Sequence, residues 1–169
     1  YKEDYEELRA AAEEIRQHFC QDQFDMCTII NAKSGHCPEN CKFCAQSAHN
    51  QAKVEVYSLL DKDTIVEDAI EKYRRGVPRY SLVSAGKSLT EEDIDKVCEI
   101  VEAIHDIEPD VKVCLSGGLI SAEGFKKLKA AGVRRIHNNL ESSEKFFKEI
   151  RNATSVNTWM IRKQNSLIA

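Results

Sequence analysis

The sequence predicts an α/β fold: a partial (βα) barrel of the TIM type, with about four βα units preceded by an N-terminal helix. Three observations carry this. Short apolar runs alternate with longer segments whose apolar residues recur at helical spacing, the pattern of successive βα units around a parallel sheet. Each strand candidate is followed by a polar or glycine-rich stretch: the break at Lys33-Ser34-Gly35, then Ser84-Ala85-Gly86-Lys87, Ser116-Gly117-Gly118 and Asn138-Asn139-Leu140-Glu141. Right-handed crossovers bring all these stretches to one rim, where such barrels carry their active sites. The chain has 169 residues, whereas a closed eight-unit barrel typically takes ~250. About half a barrel is therefore expected.

Residues 3–19 read as an amphipathic helix, with Leu8, Ala11, Ala12, Ile15 and Phe19 opposite Glu6, Glu7, Glu13, Glu14 and Arg16. We expect residues 1–22 to form a helical extension packed before the main fold. Cys27-Thr28-Ile29-Ile30-Asn31 has the β-branched richness of a buried strand. Thr64-Ile65-Val66-Glu67 has the form of a capping box opening a helix that buries Ile65, Ala69, Ile70 and Tyr73. Gly76 and Pro78 close it.

The pattern then repeats. Tyr80–Ser84 is a second strand, and Thr90 starts a helix carrying Ile94, Val97, Val101 and Ile104. Val111–Leu115 is a third strand, and Ser121 caps a helix with Phe125 and Leu128 inward, ending at Gly132. Val133–His137 is a fourth, leading to a short helix with Phe146, Phe147 and Ile150. The barrel portion spans residues 23–150. Residues 151–169 form a divergent tail with three basic residues, no acidic ones and no clear periodicity.

Composition excludes several function classes. The chain is 42% hydrophobic and 31% charged, with a mean hydropathy of −0.46, as expected of a soluble domain. A net charge of −4 gives no electrostatic reason to expect nucleic acid or an anionic membrane as partner. No apolar run approaches the ~20 residues of a membrane span. The acidic start, Tyr1-Lys2-Glu3-Asp4, shows no secretory signal, and a chain opening on Tyr1 is expected to lack its native beginning. Seven cysteines without such a signal favour metal or redox chemistry over disulfides. A reducing cytoplasm is the compartment that suits them.

The chemistry concentrates after the first strand. Cys37, Cys41 and Cys44 occupy three of eight consecutive positions, spaced Cys-x3-Cys-x2-Cys. Thiolates so close converge on one metal centre with little chain-closure cost. Iron–sulfur clusters usually take four cysteines, so three leave one iron open to another ligand. Zinc is the competitor, with His36 or His49 as further ligands, although structural zinc sites usually collect four ligands in two pairs. The other histidines and the acidic runs read as surface features. Cys27 and Cys98 read as core, and Cys20 receives no role.

With these residues in view, Cys37-x3-Cys41-x-Phe43-Cys44 resembles the radical S-adenosylmethionine (SAM) enzymes. The wider run, Asn31-Ala32-Lys33-Ser34-Gly35 followed by Cys37-Pro38-Glu39-Asn40-Cys41-Lys42-Phe43-Cys44-Ala45-Gln46-Ser47, resembles the biotin synthase family. The resemblance runs from about Phe24 to Ile150. It implies that Cys37, Cys41 and Cys44 hold a 4Fe–4S cluster whose fourth iron is chelated by SAM, with Phe43 near the adenine. Reduction of that cluster would cleave SAM to methionine and a 5′-deoxyadenosyl radical, which abstracts hydrogen from an unactivated carbon. It further implies that Ser84, Ala85 and Gly86 meet the methionine end of SAM, and that Asn139 hydrogen-bonds the ureido ring of dethiobiotin. The implied reaction inserts sulfur between C6 and C9 of dethiobiotin. The implied partners are an electron donor such as flavodoxin or ferredoxin and, in the full-length family, a second copy in a homodimer.

The chain departs from that family at three places. A second, auxiliary iron–sulfur cluster is implied, with Cys114 as one ligand, but Ser81 stands where the family has another cysteine. Serine is a poor substitute for a soft thiolate donor. The family's Asn-His-Asn-Leu-Asp run is His137-Asn138-Asn139-Leu140-Glu141 here. Beyond Ile150 the resemblance is expected to stop, as in a truncated or frameshifted product whose open sheet edges favour association. Two alternatives stand beside the biotin synthase reading. One is another radical SAM enzyme of the subgroup, such as a hydrogenase maturase relative; the other is a catalytically incomplete cluster-binding fragment.

Overall fold

The structure, a computed structural model, describes residues 4–150. Nine elements follow in order: α1 (Tyr5–Cys20), β1 (Cys27–Lys33), α2 (Lys62–Arg74), β2 (Arg79–Ser84), α3 (Glu91–Ile107), β3 (Lys112–Ser116), α4 (Ala122–Ala131), β4 (Arg135–Ile136) and α5 (Glu144–Ile150). The four strands form one sheet in the order β1-β2-β3-β4. Every pairing is parallel. This is the expected partial (βα) barrel, with every strand's C-terminal end at the same rim.

Alternation along the strands separates two faces. Ala32, Tyr80, Leu82, Val113 and Leu115 point to the helices and join the core with Ile65, Ala69, Ile94, Val97, Val101, Ile104 and Leu128. Tyr80, buried on this side, donates from its hydroxyl to Asp68 Oδ2 at 2.8 Å, which pins β2 to α2. The opposite, concave face mixes apolar Ile29 with polar groups. Ser81 lies opposite Cys114, and Cys114 lies opposite Arg135.

The helices start where side chains satisfy the first amides. Thr90 and Asp93 form a complete capping box at α3, and Ser121 accepts from Gly124 at α4. Gly132 ends α4 in the left-handed conformation, φ 106°. The start of α2 differs from expectation. Asp61, not Thr64, is the cap: its carboxylate accepts from the Thr64 amide at 2.9 Å and the Thr64 hydroxyl at 2.6 Å. A carboxylate three residues upstream turned the apparent capping threonine into a first-turn residue.

Three further expectations are corrected. α1 forms as an amphipathic helix but buries none of its residues, with Leu8, Ile15 and Phe19 exposed. β1 alternates rather than being buried, and Cys27 is exposed. It is an edge strand whose Cys27, Ile29 and Asn31 are exposed on the concave side. β4 has two residues instead of five, pairing with β3 only at Arg135 and Ile136. The divergent tail expected at residues 151–169 lies outside the described residues.

Candidate metal centre

The site is built on the end of β1. After Lys33 the chain leaves the sheet through Ser34, which forms an antiparallel bridge to Tyr57 with both amide hydrogen bonds at 3.1 Å. Gly35 follows at φ 78°, and a Cβ there would lie 2.6 Å from Val56 Cγ2, so both backbone shape and packing demand glycine. The cysteine loop is then closed on itself. The Cys37 amide donates to Gln46 O at 3.0 Å and the Ala48 amide to Cys37 O at 2.9 Å. Within it the Cys44 amide donates to Cys41 O at 3.1 Å, a tight turn that holds these two cysteines in adjacent positions.

Cys37 is buried, and Cys41 and Cys44 are half-buried; among the described residues no cysteine is disulfide-bonded. The donor set therefore fits a three-thiolate centre in kind and number. Among the described residues no three His, Cys, Asp or Glu side chains are preassembled as a metal site, so final convergence of the thiols would accompany metal binding. His36 and His49 are exposed and belong to no assembled zinc site either. Phe43 is 55% exposed beside Cys44, an apolar ring held at the mouth of the loop.

The second strand supplies the facing wall. The Ala85 amide donates to Lys33 O at 2.8 Å, which seats the turn after β2 against the root of the loop. A cavity of about 670 Å³ opens between them, lined by Lys33, Gly35 and His36 on one side and Ala85, Gly86 and Lys87 on the other. Lys87 Nζ reaches Glu39 Oε1 at 3.5 Å, a bridge from that turn to the Pro38-Glu39-Asn40 stretch between the first two cysteines. The Ser84 hydroxyl is buried with no hydrogen-bond partner. An orphaned donor at this rim is what a site awaiting a polar ligand leaves behind.

An ion pair not legible in the sequence anchors the root of the loop to α3. Lys33 Nζ lies 2.7 Å from Asp93 Oδ2, the residue that completes the α3 capping box. Burial pushes the Asp93 carboxyl up, but the Lys33 hydrogen bond and charge and the Thr90 backbone outweigh it and leave the group below the ordinary carboxylate range. A depressed folded value stabilises the fold above the unfolded carboxylate pKa of about 3.9 and is lost as pH falls through the folded value. Asp93→Ala should therefore cost about 2 kcal/mol at neutral pH through the lost cap and charged hydrogen bond. The difference in urea midpoint between Asp93→Ala and the parent should shrink at about pH 3.

The concave face carries a second group. Cys114 is fully buried, with Arg79 Nη1 at 3.9 Å and its own contact to Lys112 O at 3.9 Å. Arg79 also pairs with Asp25 at 2.7 Å. The hydrogen bond to Asp25, then the contact with Cys114, hold the Arg79 guanidinium above its ordinary pKa. The hydroxyl of Ser81, opposite Cys114 in the sheet, is buried without a partner. One thiol and one hydroxyl are a weak donor set for an auxiliary cluster. At the rim beyond β4, Asn139 is exposed. His137 is held below its ordinary pKa by burial, then by the charges of Arg135 and Arg79. The Lys42 amide donates to Ile150 O at 2.9 Å, so the end of α5 touches the cysteine loop between Cys41 and Phe43.

Comparison with known proteins sets this site in context. The family described as the Radical SAM superfamily matches residues 32–163. The chain is 49% identical over 145 residues to the biotin synthase of Brachyspira hyodysenteriae, covering 86% of this chain and 43% of that protein. It is 48% identical over 149 residues to the biotin synthase of Akkermansia muciniphila, covering 88% of this chain and 46% of that protein. The chain thus spans less than half the length of the curated relatives it matches. Among solved structures, the FeFe-hydrogenase maturase HydG from Carboxydothermus hydrogenoformans superposes with a TM-score of 0.82 at 17% identity, over 99% of this chain and 39% of that one. Methylornithine synthase gives 0.77 at 19% identity, over 96% and 48%. At such identities these two likenesses speak for the fold alone.

Proposed function

Because the chain belongs to the radical SAM superfamily, we propose that it carries the cluster and SAM site of a biotin-synthase-type enzyme. That enzyme would insert sulfur into dethiobiotin with a 4Fe–4S cluster and SAM. The single observation that carries this reading is the identity of 45–49% to biotin synthases, over a stretch that includes the three-cysteine loop. When bound, the cluster and SAM together supply a 5′-deoxyadenosyl radical for hydrogen abstraction from carbon.

The chain's own residues then have definite tasks. Cys37, Cys41 and Cys44 hold the iron, and Phe43 screens the mouth and offers an apolar face to adenine. Ser84 presents a hydroxyl, and Ala85 and Gly86 present backbone, to the amino-acid end of SAM. The Lys87–Glu39 bridge keeps that turn beside the loop. Asn139 is assigned to dethiobiotin, and Cys114 to an auxiliary iron–sulfur cluster, for which Ser81 is the weak point. A flavodoxin- or ferredoxin-like donor, a homodimer and a cytoplasmic setting belong to the same reading. The unpartnered Ser84 hydroxyl and the adjoining cavity support the SAM assignment.

The test is anaerobic. After reconstitution with iron and sulfide, the chain is given SAM and a strong reductant, with and without dethiobiotin. Formation of 5′-deoxyadenosine that rises with dethiobiotin is the expected result. Formation that ignores dethiobiotin but occurs at all would keep the radical SAM chemistry and remove the substrate assignment.

A further inference from the structure

Gln46 takes none of the roles above, yet it accepts three hydrogen bonds across the cysteine loop. Its side-chain Oε1 accepts from the Gly35 amide at 2.6 Å and from the Ser34 hydroxyl at 3.2 Å. Its backbone carbonyl accepts from the Cys37 amide at 3.0 Å. One residue, two positions after Cys44, therefore grips the three-residue stretch that leads into Cys37. From this geometry we propose that Gln46 is a positioning residue, a clasp that fixes the backbone at Cys37 relative to that at Cys44 before any metal draws the thiols together.

The surroundings make the clasp specific. Gly35 has no slack, since Val56 fills the space where a Cβ would stand. Ser34 is 4% exposed and held from its other side by Tyr57. With Gln46 replaced by an apolar side chain, the Gly35 amide and the buried Ser34 hydroxyl lose this acceptor. The cheapest response is for the stretch to swing away from Cys44. A carboxylate of the same shape would still accept both bonds, so Gln46→Glu should restore what Gln46→Leu removes. A loop whose backbone is already held loses less conformational freedom when its thiols converge on a cluster. A released loop should hold one more loosely.

The inference rests on the proposal that this loop binds a cluster, and the test separates the two. In the metal-free chain, amide exchange at Gly35 and Cys37 and the alkylation rate of Cys37 are measured for the parent, Gln46→Leu and Gln46→Glu. In reconstituted chain, the rate of cluster loss to a chelator is followed. Gln46→Leu should speed exchange at Gly35 by about tenfold, the scale of one lost hydrogen bond. Exchange in α3 and β3 should stay unchanged, and cluster loss should be about tenfold faster, near the low end of the effect of removing a metal's outer-shell partner. Gln46→Glu should recover most of both. Should Gln46→Leu fail to fold, Ser34→Ala, which removes one of the two side-chain bonds, should raise the same rates by a smaller factor. Parent-like exchange, alkylation and cluster loss in the variants would overturn the clasp. A parent chain that takes up no iron would defeat the cluster reading, while exchange and alkylation still decide the clasp.

Discussion

Replacing Cys41 by alanine should abolish cluster retention and cut SAM-derived 5′-deoxyadenosine by more than a hundredfold. Loss of even an outer-shell partner costs metal affinity or activity about 10–100-fold, and Cys41 is assigned here as one of only three protein ligands. The tight turn from Cys41 O to the Cys44 amide is backbone and survives the substitution, so the loss would report the thiol. The check is iron and sulfide content after anaerobic reconstitution and desalting, followed by product analysis. Ala45→Ser, in the same loop and not assigned a ligand role, should behave as the parent.

Leu82→Ala should destabilise the chain by about 2–5 kcal/mol, the cost of a large-to-small change at a fully buried position. Leu82 has no exposed surface and belongs to the core between the sheet and its helices. It sits in β2, one of the two central strands, where Ile30 and Leu115 are its lateral partners. A cavity there has strands on both sides and little room to collapse. Urea unfolding should show a lower midpoint with an unchanged slope. Ile29→Ala tests the opposite face: Ile29 is 65% exposed on the neighbouring strand, so its loss should change stability by less than about 0.5 kcal/mol.

What was legible in the sequence follows from how local its cause is. The helices around Ile94, Val97, Val101 and Ile104, and around Phe125 and Leu128, are periodic patterns bounded by their own caps, Thr90 and Ser121. Each therefore sits where the pattern puts it. The α2 start misled because Asp61, three residues before Thr64, accepts from the Thr64 amide and caps the helix one turn earlier. The exposure of Cys27 and of the apolar face of α1 was not legible, since periodicity marks a face as apolar without naming what covers it.

The candidate site divides in the same way. Its cysteines are a dense local motif, and the glycine at position 35 announces a turn. Its supports are distant in sequence. Lys33 meets Asp93 across 60 residues, and Gln46 meets Ser34 across 12. Neither pairing leaves a periodic trace, so no pattern in a single sequence points to either.

The assignment of Cys37, Cys41 and Cys44 to a cluster with an open iron is decided by electron paramagnetic resonance of the reduced, anaerobically reconstituted chain, with and without SAM, beside metal analysis of the same sample. Iron and sulfide in equal amounts and a 4Fe–4S signal that SAM changes are the expected result. Zinc in place of iron, or a cluster signal that SAM leaves unaltered, would contradict it.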